Sequence, residues 1–160
     1  METLRNNNEN KEMAAVLKKL EDYRSQGYLF HGTKNKIEVL EPRQAHDDDP
    51  DTTTVNNLCA VYATDDLRIP IIMALFDKKD KNKDCNGFYS VTNGGKMTAG
   101  GENVTYTPGY IHVLPKDKFQ EIEDERTKEI VAFENVSPID IILITPDILD
   151  LIPGITYDIK

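Results

Sequence analysis

Between Glu12 and Arg24 the apolar residues Met13, Val16, Leu17, Leu20 and Tyr23 recur at helical spacing, with charged residues between them. That pattern predicts an amphipathic helix, and Ser25-Gln26-Gly27 predicts its end. Residues 1–9 ahead of it are polar and Asn-rich. They carry too little apolar surface to order themselves and read as a disordered tail before a single domain over 10–160. Beyond Gly27 the period changes. "YLFHGT" (Tyr28–Thr33) and "LCAVYAT" (Leu58–Thr64) are short apolar runs of buried-strand character, separated by the loop "RQAHDDDPDTTTVNN".

Asp65-Asp66 predicts an N-cap for a second helix over "LRIPIIMALF", with Pro70 near the first turn, where proline is tolerated. After the charged run "DKKDKNKDCNG" come the strand candidates "FYSVTN" (Phe88–Asn93), "YIHVLP" (Tyr110–Pro115), "EIVAFENV" (Glu129–Val136) and "IDIILIT" (Ile139–Thr145). This gives about six short strands following early helices, an α+β pattern and not a Rossmann alternation. No internal repeat is visible.

Length and composition agree with this reading. At 160 residues, with 39% hydrophobic and 29% charged residues, the chain fits one soluble globular domain. No apolar run approaches the ~18 residues of a membrane span, and the N-terminus lacks a secretion signal. A cytoplasmic location is therefore expected. A formal charge of -9 works against partners held through a phosphate backbone, so bulk nucleic-acid binding is not expected. Cys59 and Cys85 form no CxxC pair and are expected to be reduced.

Several motifs fail on inspection. "NGGKMTAGGEN" lacks the first glycine of a phosphate loop and has Met97 where Ser or Thr belongs, so it reads as a hairpin loop. "DKNKDC" imitates the start of a calcium loop, yet Cys85 replaces the turn glycine and Val91 the bidentate Glu. Asp47-Asp48-Asp49 reads as solvated charge. His31, His46 and His112 have no metal-ligand spacing, and no metal is expected.

What remains is a set of strand ends. "LFHGT" offers an imidazole, a glycine whose bare backbone can approach a ligand, and a hydroxyl. "VYAT" offers Tyr62 and Thr64 on one face, and a late strand opens on Glu129. In order and spacing these segments resemble the ADP-ribosyltransferase superfamily. His31-Gly32-Thr33 stands for the family's first motif, Tyr62-Ala63-Thr64 for its second, and "EIVAFENVSPIDIILI" is similar to the late strand of the poly(ADP-ribose) polymerase type, with Glu129 at the catalytic position. The stretch from Tyr28 to Asp66 also resembles small enzymes that ADP-ribosylate rifamycins. In those enzymes an acid soon after the "GYIHVLP"-like strand is catalytic, which nominates Glu121 or Glu123 in "FQEIEDE", with Glu121 the rival to Glu129.

The resemblance implies an ADP-ribosylation fold with a split, antiparallel-rich mixed sheet, and NAD as substrate. Gly32 would bond the nicotinamide amide through its backbone, His31 the ribose hydroxyls, and Tyr62 would stack on the nicotinamide ring. Glu129 would accept from the ribose 2′-hydroxyl and stabilise an oxocarbenium-like transition state. Thr33 and Thr64 would orient these groups, Arg43 is a candidate phosphate contact, and the loop 43–57 is expected to cover the site. The acceptor would be a protein, a nucleic-acid base, a small molecule or water. Two alternatives stand beside this: a non-catalytic NAD or ADP-ribose binding module of the same fold, and an RNA 2′-phosphotransferase. The second would need another His at Tyr62 and a basic face.

Overall fold

The computed structural model describes residues 2–44, 58–91, 95–123 and 128–157. Helix α1 spans Glu2–Ser25, so its backbone continues back through the segment read as a tail. Extending a helix is far cheaper than nucleating one, and the packed stripe from Met13 to Tyr23 supplies the nucleus. Gly27, at φ 93°, ends it in the left-handed conformation, and the Tyr28 N–H closes on the Tyr23 carbonyl at 3.2 Å.

Strand β1 (Leu29–Thr33) lies antiparallel to β8 (Gly109–Leu114), which in turn pairs with β11 (Asp140–Ile144). A second sheet has the order β2 (Arg43–Gln44), β3 (Cys59–Ala63), β10 (Lys128–Ala132), β9 (Gln120–Glu123). Helix α2 (Arg68–Leu75) follows β3. The remaining strands are β4 (Phe76–Lys78) with β7 (Val104–Tyr106), and β5 (Asn86–Val91) with β6 (Met97–Glu102) and β12 (Ile155–Tyr157). The β12–β6 pair is parallel and the others are antiparallel. The fold is α+β, as the hydrophobic pattern predicts.

The twelve strands among the described residues exceed the six expected. The clearest correction is the segment read as a hairpin loop. Met97 and Ala99 alternate into the core, and Met97–Glu102 is a strand held between β5 and β12. "EIVAFENV" is shorter than expected, because Phe133 turns out to solvent after Ala132, and Val136 rejoins the fold through one bridge to Leu40.

Two cores lie on opposite faces of the β1–β8–β11 sheet. On one face Phe30, Ile111, Val113, Ile142 and Ile144 pack against α1 and α2. On the other, Leu29 and Leu114 join Leu40, Val61, Ala63, Ala132 and Val136 in a smaller cluster that extends under the second sheet. Asp140 fastens α1 to the sheet edge, accepting from the Tyr23 hydroxyl at 2.8 Å and pairing with Lys19 at 2.9 Å. Among the described residues no helix is long and apolar enough to cross a membrane.

Candidate functional site

The two sheets meet where β1 runs beside β3. Phe30 and Thr64 exchange both main-chain hydrogen bonds, at 2.9 and 3.0 Å. In an antiparallel ladder every second residue faces the same neighbour, so the next rung would join Gly32 to Tyr62. It does not form. The Tyr62 carbonyl instead accepts from His31 Nδ1 at 2.7 Å. Pairing stops after one rung, and the Gly32 main-chain groups, which alternate away from β8, face the parting between the sheets.

This contact sets the chemistry of His31. A carbonyl only accepts, so Nδ1 carries the proton and, in the neutral ring, Nε2 is an acceptor. Burial holds the imidazole below its ordinary pKa, with the Tyr62 carbonyl working in the opposite direction. His31 is thus neutral at pH 7 and offers a lone pair, as a hydroxyl ligand would need.

Gly32 has a packing reason as well. A Cβ there would lie 1.9 Å from the Pro70 carbonyl oxygen of α2, and one at Gly109 on β8 would lie 2.0 Å from that of Ala74. The two glycines form a flat seat for α2. Lys34, which belongs to no motif in the sequence, holds the far end of that helix: its ammonium donates to the Leu75 carbonyl at 2.9 Å, the Thr107 carbonyl at 2.9 Å and Thr107 Oγ1 at 2.7 Å. Leu75 ends α2, and the lysine joins the Thr107 N–H, at 2.9 Å, in satisfying a carbonyl that the helix itself cannot. Thr64 is likewise occupied locally, accepting the Asp66 N–H at 3.1 Å. The Asp66 carboxylate then accepts the Arg68 N–H at the start of α2, at 3.1 Å. Thr33 is half-buried opposite Tyr110.

Tyr62 pairs with Val131, and Ile130 with Ala63. Alternation therefore puts Tyr62, Thr64, Val131 and Glu129 on one face of the second sheet, the face on which α2 lies over β1. Both Tyr62 and Glu129 are half-buried. Burial raises the Tyr62 pKa, and the Glu129 charge adds to this. Burial also raises the Glu129 pKa, and among the described residues no cation pairs with it. Glu121 faces Ile130 across the β9–β10 ladder, so it projects from the opposite face. There it lines an open cavity of about 250 Å³ with Arg24, Tyr28, Asp65 and Lys116. The structure thus separates the two rival acids, and Glu129 is the one beside Tyr62.

By the same alternation the His31 side chain starts on the face of Ala63 and Ile130 and reaches Tyr62 through the gap between strands. Gly32, Tyr62 and Glu129 share one side of the parting, and His31 closes it from the other. Directly across β1–β8 from His31 stands His112. It is fully buried, its Nε2 accepts the Ile37 N–H at 3.0 Å, and the two imidazole centroids are 6.3 Å apart. In the sequence His112 stands out only for its lack of metal-ligand spacing. Its flanks in "YIHVL" were the available signal, since a polar residue inside a strand buried on both faces must find a partner there.

Arg43 pairs through its backbone with Ala60 and its side chain is exposed. Most of the loop expected to cover the site, residues 45–57 with His46 and Asp47–Asp49, lies outside the described residues. In the segment resembling a calcium loop, the carbonyls of Asp80, Lys83 and Asp84 face the Asn103 amide nitrogen at 3.0, 3.2 and 3.1 Å in order of Asp80, Asp84 and Lys83. Among the described residues no three His, Cys, Asp or Glu side chains are placed to hold a metal ion, and both cysteines are free. Comparison of the chain with protein-family models, with curated proteins and with solved structures returned no match.

Proposed function

We propose that this protein is an NAD-dependent ADP-ribosyltransferase whose site is the parting between β1 and β3. The observation that carries the reading is the missing rung: His31 takes the Tyr62 carbonyl, and a main-chain donor and acceptor at Gly32 are turned toward the ligand side. A carboxamide has one donor and one acceptor edge and suits such a pair. Tyr62 supplies an aromatic face for a cationic ring, worth ~0.5–2 kcal/mol. As the bond between nicotinamide nitrogen and ribose C1′ breaks, its electron pair leaves with the nicotinamide and positive charge develops on the sugar. Glu129, accepting from the 2′-hydroxyl, stabilises that charge. The acceptor's nucleophilic atom, or water, then bonds C1′ and loses its proton.

The test is release of labelled nicotinamide from NAD. Glu129→Ala is expected to lower the rate by ~10²-fold or more, the scale of losing a group that stabilises transition-state charge. Equal rates in wild type and variant would remove Glu129 from this role. Since burial raises the Glu129 pKa, the rate should also fall on acidification at a pH above the ordinary carboxylate range.

A second reading, a module that binds NAD or ADP-ribose without turnover, is favoured by one observation: the His31 side chain leaves its strand on the face opposite Tyr62 and Glu129. Calorimetric binding of NAD with no nicotinamide release, in the presence of candidate acceptors, would select it.

A further inference from the structure

His112 is fully buried and is the polar or charged side chain that the described core encloses most completely. Its Nε2 accepts the Ile37 N–H at 3.0 Å. A main-chain N–H only donates, so Nε2 must carry a lone pair and the proton of the neutral ring sits on Nδ1. Nδ1 makes no well-formed hydrogen bond, and only the His31 main chain beside the ring favours a second charge. An imidazolium would set one N–H against another at Ile37 inside the core.

On balance the surroundings of the ring oppose protonation, burial most of all, with the His31 main chain alone working the other way. From β1 comes His31, from β11 Ile141, from the crossing segment Ile37, and from its own strand Tyr110 and Leu114. Of these His31 is basic and opposes a second charge. Lys34 is bound to the end of α2, and Lys36 and Glu38 are exposed. The segment that His112 holds matters to the site. It joins the His31-Gly32-Thr33 motif to the Leu40–Val136 bridge and then to β2, which pairs with the start of β3.

We propose that His112 is a positioning residue and proton-sensitive latch: neutral, it fixes Ile37 and its neighbours between the anchored ends at Lys34 and Leu40, and protonated, it releases them. The latch is read without NAD, and only its effect on turnover rests on the proposed transferase reading.

The test is amide exchange at Ile37 in the full chain by NMR, from pH 7.5 to 5, corrected for intrinsic exchange. If opening takes up one proton, the opening constant rises by up to about tenfold per pH unit below pH ~6.5. The expected result is such a rise at Ile37 while Val113 and Ile142 stay protected. In His112→Gln the side-chain oxygen still accepts from Ile37 but cannot titrate, so protection at pH 7 should be kept and the pH response lost. Imidazole nitrogen shifts in the wild type, which need no variant, should show the Nδ1–H tautomer. Ile37 protection that ignores pH, an unchanged response in His112→Gln, loss in step with every core amide, or the Nε2–H tautomer would each overturn the proposal. Nicotinamide release is followed in parallel. If it is absent from wild type, the transferase reading fails while the latch is judged on exchange alone.

Discussion

His31, Gly32 and Lys34 each have a structural task that their letters do not reveal. His31 ends the pairing of two strands, Gly32 admits α2, and Lys34 caps it. Gly32→Ala puts a methyl group 1.9 Å from a carbonyl oxygen, and neither backbone can yield cheaply. Denaturant unfolding should show a loss of at least ~2 kcal/mol, in the range of overpacked cores. Buried histidines make an acid-side prediction. Burial and the nearby His31 depress His112 to about 4, below the unfolded value near 6.5. A depressed folded pKa contributes stability that is complete above pH ~6.5 and is lost as pH falls through the folded value. Unfolding free energy should therefore drop by on the order of 3 kcal/mol between those limits. Urea titrations at successive pH values would check this, with a flatter profile expected for His112→Gln.

At the scale of elements, the strands that fill the core were legible because they are apolar on both faces. "LFHGT", "CAVYA", "GYIHVL" and "DIILI" lie within a residue or so of their predicted places. Strands β4, β7, β9 and β12, with the sequences "FDK", "VTY", "QEIE" and "ITY", are too short and too mixed to show a period. Strand β6 was hidden by its glycines. The positions of His31, Gly32, Tyr62 and Glu129 in the chain could be read directly. Their relation could not, since the missing rung depends on which strand lies beside β1 and in what register. Helix α2 is the element on which the motif acts, and it is held at both ends. Lys34→Met keeps the aliphatic stem and removes every donor, so the Thr107 carbonyl loses its ammonium partner while the Leu75 carbonyl keeps only the Thr107 N–H. A loss of ~1–3 kcal/mol is expected from leaving such groups unpaired, measured by thermal unfolding. Exchange should accelerate first in the last turn of α2.

Across the whole molecule, acidity and architecture bear on different questions. The charge of -9 affects which partners approach, while the fold rests on pairings between distant segments. Strand β1 comes early in the chain, yet both its neighbour β8 and the next strand β11 come from the later part. Leu29 meets Leu114, and β3 must wait for β10. Such long-range closure is entropically costly before any contact rewards it, and it slows folding toward the millisecond-to-second range. During synthesis, then, the His31-Gly32-Thr33 strand emerges with its Leu29 and Phe30 uncovered and stays without its sheet until about 80 residues more have been made. Chaperone dependence and aggregation on the ribosome should be set by that waiting time.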